Sequence, residues 1–183
     1  MPFLLLVLGL ALWVLAHIFK RIAPGARARM GEKGKGAVAI ALFASLVLIV
    51  LGYRGMDFII VWSPPAFMFH INNTLMLIAV WLFAASGTGA WPATKIRHPQ
   101  LTAVKTWAVA HLLVNGDLAS VILFGGLLGW AVLEVVLINR AEPDWTPPEP
   151  KPGAVLKAVV GTVVVFASIA LVHWLLGRWP FPV

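Results

Sequence analysis

The sequence has no cysteine, a single tyrosine and only seven acidic residues among 183. Without cysteine there are no disulfides, thiolate metal sites, iron–sulfur clusters or covalent CxxCH haem attachments. Charge of either sign is scarce, with Asp, Glu, Lys and Arg at 11% of the chain against about 25% in an ordinary soluble domain. Also missing are the GxSxG elbow, HExxH, the P-loop and GxGxxG. Hydrolase, kinase and nicotinamide-dehydrogenase chemistry therefore has no residues to stand on. No matched carboxylate cluster is present to favour a di-iron centre.

What is present is apolar. Hydrophobic residues make up 61% of the chain and the mean hydropathy is +0.92. A water-soluble fold of this length would lack the polar surface to cover its core. That excludes a soluble enzyme, a disordered chain and a peripheral surface binder. Six apolar stretches read at the scale of a bilayer, where a helix needs about 20 residues to cross. They cover roughly 2–19, 37–55, 66–86, 102–115, 118–138 and 154–176. The fourth is short and carries Thr106 and His111, so it is read as a tilted, shallow or re-entrant helix. The fold class is all-α: a polytopic transmembrane helical bundle of about six spans, forming one domain over 1–183.

Charge placement sets the orientation. Of fourteen cations, twelve fall in the first, third and fifth connections or beside them, leaving Arg54 and Arg178 on the opposite side. By the positive-inside rule the basic loops are cytoplasmic and both termini lie outside, which suits a multi-pass protein of a bacterial inner membrane. Lys20 and Arg21 follow the first apolar run rather than precede it, so that run is read as a retained anchor and not a signal peptide. The net charge of +7 is thus an address. No nucleic-acid partner is expected, because no recognition motif or aromatic–basic interleaving accompanies it. The segment 143–152, with five prolines, is a stiff extended connector. Trp62, Trp91, Trp145 and Trp179 fall near the predicted interfaces.

Ionisable groups inside a bilayer are functional candidates by default. Counting from the nearest cation at about 1.5 Å per residue, His17 lies about 4–5 Å and His111 about 9 Å inside the cytoplasmic boundary. His98 sits at that boundary, while His70 and His173 fall in the outer half. The pair His17/His111 also shares a local pattern, Trp13 to His17 and Trp107 to His111, each at four-residue spacing and each with an alanine just before the histidine. Such spacing puts Trp and His on one helix face. Two imidazoles from different helices suit haem iron in a helical bundle. The opposing reading is that each histidine only bonds a neighbouring helix. His70/His173, with Asn72 and Asn73 nearby, is an alternative outer pair, and a mixed pair is also open.

Glu134 is read either as an acceptor orienting a ligand histidine or as a partner of Lys105, Lys157 or the headgroups. Asn115-Gly116-Asp117 is a tight corner, with Asp117 placed to N-cap the fifth stretch. The corner serves as a helix connection or as a polar site at the outer mouth. The Gly125 to Gly129 step reads as close helix packing.

Two strings carry a specific resemblance. Arg97-His98-Pro99 precedes Ala110-His111-Leu112-Leu113-Val114-Asn115-Gly116-Asp117-Leu118-Ala119-Ser120, with Leu123-Phe124-Gly125 after it. His17, Val61-Trp62-Ser63-Pro64-Pro65, His70 and His173-Trp174 match as well. The chain resembles the NnrU family of bacterial membrane proteins over essentially its whole length. That resemblance implies an association with denitrification and with the handling of nitrite and nitric oxide. The same family includes the plant and cyanobacterial ζ-carotene isomerase, a haem b membrane enzyme. By motif, the resemblance carries the axial haem ligands to His17 and His111.

Three readings follow: a haem b protein whose partner is a diatomic gas, a haem-dependent cis–trans isomerase of an apolar polyene, and a cofactor-free membrane assembly or transport component.

Overall fold

A computed structural model describes residues 1–181, so the last two residues of the expected domain lie outside the described chain. Among the described residues there are seven helices: α1 (Pro2–Ile22), α2 (Pro24–Arg29), α3 (Lys33–Gly55), α4 (Met68–Thr88), α5 (Pro99–Val114), α6 (Leu118–Ala141) and α7 (Ala154–Leu175). All but α2 and α5 are long and apolar enough to cross a membrane. The chain is a multi-pass membrane protein with a helical fold. The short fourth stretch is α5, whose 16 residues give about 24 Å of rise. Its helix begins at Pro99, three residues before the apolar run, because proline suits the first helical turn. α2, inside the basic loop, was not foreseen.

The described chain divides into two compact units, one of residues 1–62 and 116–141 and one of residues 63–115 and 142–181.

In the first unit α1 packs on α3 and both meet α6. Backbones approach closely where side chains vanish. A Cβ on Gly52 would sit 2.3 Å from Leu6 N, and one on Gly9 would sit 2.8 Å from Ile49 N. Small residues at such crossings are how helices gain contact where lipid removes the hydrophobic drive. Leu6, Leu10, Ile49 and Ala119 form the buried core there. The expectation for α6 is corrected: Gly125 and Gly129 face open space, and of the three glycines only Gly126 meets a neighbour, the Leu10 side chain. Four-residue spacing of small residues records a face, not what covers it. Outward side chains such as Ile40 and Phe43, each over 70% exposed, are the lipid-facing surface expected of spanning helices.

A backbone clip closes the end of this unit. Leu118 N–H donates to Ile59 O at 2.8 Å, and Val61 and Trp62 N–H both donate to Gly116 O, at 2.7 and 3.0 Å. A Cβ on Gly116 would lie 1.9 Å from Trp62 O, so only glycine fits. Two of the strings that carry the family resemblance, around Trp62 and around Gly116, therefore meet in one structural joint.

In the second unit α4 packs on both α5 and α7. Its core is made of alanines, Ala85, Ala90, Ala93, Ala154 and Ala158, with Trp81 and Ala84 against them. α4 ends at Gly89, whose φ of +75° is the left-handed C-cap that glycine accepts without strain. The Pro-rich segment after α6 has no regular secondary structure and is exposed. It is pinned by the Arg97 guanidinium, which donates to the Glu142 and Pro143 carbonyls, and by Lys151 N–H on Gly89 O.

Candidate functional site

Three histidines share one local geometry. The Nδ1 of His17 lies 2.8 Å from Trp13 O, that of His111 lies 3.0 Å from Trp107 O, and that of His173 lies 2.8 Å from Ile169 O. Each partner is the carbonyl four residues back, on the same helix face. A carbonyl only accepts, so Nδ1 carries the proton and Nε2 the lone pair. That tautomer, fixed by a backbone oxygen, is the one a metal-ligating histidine adopts.

In the second unit His111 and His173 line one cleft of about 630 Å³, within the usual range of about 300–1,000 Å³ for a small-molecule site. α7 contributes a stripe at four-residue steps, Lys157, Gly161, Val165, Ile169 and His173. α5 adds Ala103, Trp107 and His111 at the same step, and α4 adds Met76, Val80, Ala84 and Thr88. The walls are nearly all apolar, with the two imidazoles at one end and Lys157 and Thr88 at the other. Trp107 lies against His111 with ring centroids 5.1 Å apart and planes tilted by 49°, and Asn72, with its amide turned to suit its neighbours, donates to Ala110 O at 3.0 Å. Counting depth from the nearest cation puts His111 and His173 in opposite halves of the membrane; the structure brings both to one cleft, because Lys105, the boundary mark, lies inside α5 and not at its start. The four-residue repeat in α7 was the signal that could have shown His173 and Gly161 facing one way.

His17 belongs to the first unit. Its ring is packed between Trp13, at 4.4 Å, and Trp130, at 4.5 Å, and the two indoles meet edge to face at 5.3 Å. Among the described residues neither buried indole N–H has a hydrogen-bond acceptor. One turn further along both helices, Arg21 Nε donates to Glu134 Oε2 at 3.1 Å. Glu134 thus has Arg21 as its ion-pair partner within its own unit. Trp130 was missed from sequence, since nothing in α6 marks it as a neighbour of His17.

The remaining candidates have local roles. Asn115 Nδ2 donates to His111 O at 2.8 Å, closing the end of α5. Asp117 Oδ1 accepts from Ser120 N–H at 3.0 Å, the N-cap expected of it, while its Oδ2 accepts from Ser120 Oγ at 2.6 Å and Tyr53 Oη lies 2.9 Å from that hydroxyl. His98 stands just before Pro99 at the start of α5. His70 is exposed in the first turn of α4 and does not line the cleft. The alanines before His17 and His111 are buried packing positions; the room lies instead at Ala84, Ala103 and Gly161. Among the described residues no three His, Cys, Asp or Glu side chains gather to hold a metal ion by themselves. Two imidazoles on an apolar wall suit a metal that brings its own equatorial ligands, which is the chemistry of haem iron.

No curated protein and no solved structure matches the chain significantly. The family model described as NnrU protein does match, over residues 5–180, and the chain belongs to the NnrU family.

Proposed function

We propose that this protein is a haem b-binding membrane protein in which His111 is an iron ligand. The observation that supports it is a single one: His111 of α5 lines an apolar cleft with Nδ1 tied to Trp107 O, and a second imidazole, His173 of α7, lines the same cleft. The donor set fits haem, because two neutral imidazoles from different helices would hold its iron and the apolar walls would receive its macrocycle. The resemblance pairs His111 with His17, whose ring has the same tautomer. His173 is the second reading, favoured by its place in the cleft.

When bound, haem supplies an iron whose ligation responds to its oxidation state. The chain's own residues do the rest. Trp107 and its carbonyl fix the orientation of the His111 ring, the Ile169 carbonyl does so for His173, and the apolar walls exclude water. Cis–trans isomerisation of a polyene and capture of a diatomic gas both draw on such a centre, in a bacterial inner membrane.

The test is the visible spectrum of the protein purified in mild detergent from haem-supplemented cells. A sharp Soret band that disappears in His111→Ala and survives in His70→Ala is the expected result. His17→Ala and His173→Ala then identify the second ligand by which of them shifts or removes the band. Pure, folded protein without a Soret band overturns the proposal.

A further inference from the structure

The basic turn between α1 and α3 is folded, and its charges are not all alike. Apolar sequence stops at Phe19 and resumes at Ala37, and the residues between carry six cations against one acid, Glu32. Two of the six are spent within the protein, Arg21 on Glu134 and Lys35 on Glu32. Arg27 is held in place: its Nη1 donates to Gly31 O at 3.0 Å, and it covers Gly34, where an added Cβ would collide with the guanidinium. Among the described residues Lys20, Arg29 and Lys33 are exposed and pair with no carboxylate. Lys33 stands in the first turn of α3, the end of a helix that disfavours a cation. Beside these charges two apolar side chains, Ile22 and Met30, are 55% and 38% exposed. The short α2 between them buries no residue.

We propose that the turn from Lys20 to Lys33 is a docking surface for an anionic phospholipid, its phosphate taken by Arg27, Arg29 and Lys33 and its acyl chains lying against Ile22 and Met30. Position and composition select this occupant. Because α1 and α3 are long and apolar enough to span, the turn is tied where phospholipid headgroups begin. Cations interleaved with exposed apolar side chains at that height are the make-up of an element that binds anionic lipid. RNA offers phosphates too, but no aromatic ring lies between Phe19 and Ala37 to stack a base. Phosphatidylcholine carries the same phosphate with its charge cancelled by choline, so net headgroup charge decides between lipids. The inference goes beyond haem binding and uses no residue of the cleft.

Energy transfer on the full chain in nanodiscs tests it. The chain has no cysteine, so Gly25→Cys, where an added Cβ meets nothing within 4 Å, provides a single thiol for a donor fluorophore. In phosphatidylcholine discs holding a trace of acceptor-labelled lipid, phosphatidylglycerol should be enriched at the donor about twentyfold over phosphatidylcholine bearing the same acceptor. Each cation near an anionic surface contributes about fivefold, so Arg29→Gln and Lys33→Gln should each lower the enrichment by about that factor, while Arg29→Lys keeps it. Both side chains are exposed, so neither substitution disturbs packing. Lys95→Gln, which removes the same charge outside the turn, should leave the enrichment as it was. Equal transfer to the two lipids overturns the proposal, as does a loss in Lys95→Gln that matches the loss in Lys33→Gln. So does release of the lipid by RNA or inorganic phosphate at an ionic strength where sodium chloride does not release it, since the turn would then prefer another anion.

Discussion

Arg21 and Glu134 face each other across α1 and α6, Nε to Oε2 at 3.1 Å, with side chains only 15% and 7% exposed. The pair sits one turn beyond His17 on α1 and beyond Trp130 on α6, so it pins the seam on which that histidine is stacked. A buried ion pair adds little over an apolar one, but removing a single partner leaves a bare charge in a low-dielectric site, at a cost of about 3–5 kcal/mol. Arg21→Met should therefore destabilise strongly, because it strips the buried Glu134 carboxylate of its guanidinium partner, read as a drop in Tm in detergent. The double variant Arg21→Met, Glu134→Met should recover much of that loss. An Arg21→Met variant as stable as the parent would show that the pair is solvated.

Two glycines in neighbouring strings of sequence should respond in opposite ways. Gly116→Ala would drive a Cβ to 1.9 Å from Trp62 O and break the clip formed with Val61 and Trp62 N–H. Loss of a joint with no room to relax belongs with the large destabilisations, above about 4 kcal/mol. Gly125→Ala meets nothing within 4 Å and should stabilise α6 by about 0.5–1 kcal/mol, the helix preference of alanine over glycine. Expression level and Tm of the two variants check both signs.

The spans were legible because a bilayer imposes a length and a polarity that one-dimensional counting detects. All six apolar stretches became helices within a few residues of where they were read, and the Trp–His pairs at four-residue spacing do bring their rings together, tilted by 44° and 49°. Partners across helices were not legible. Glu134 meets Arg21, a cation the sequence reading did not offer it, because pairing depends on how α1 and α6 are docked. Gly9 and Gly52 carry the close helix approach while Gly125 and Gly129 do not, although all four look alike in sequence. His111 was placed by counting from Lys105, and a lysine long enough to reach polar surroundings from within a helix is a poor mark of a boundary.

Arg97, the first residue of the RHP string, acts as a clasp. Its guanidinium donates to the Glu142 and Pro143 carbonyls and so anchors the start of an exposed segment that has no secondary structure of its own. Arg97→Ala should release that segment while leaving the helices intact. Limited digestion with an acidic-residue protease, which cuts at Asp144 and Glu149, should proceed several-fold faster in the variant, since cleavage tracks the population of the open form. Unchanged digestion would show that the Arg97 contacts do not hold the segment.

A histidine that ligates and one that merely packs can be separated by filling the hole each leaves. His111 faces the cleft, so His111→Gly opens a vacancy that connects to it beside Trp107 and is reachable by a small molecule. If His111 is an iron ligand, the variant loses its Soret band, and imidazole added to haem-supplemented protein restores a band close to that of the parent. If the side chain only supports α5, glycine lowers Tm and imidazole leaves the spectrum of the variant as it was. The same substitution at His70, exposed at the start of α4 and away from the cleft, should change neither the spectrum nor its response to imidazole. That contrast assigns the effect to an imidazole at one position in the cleft rather than to imidazole binding at large.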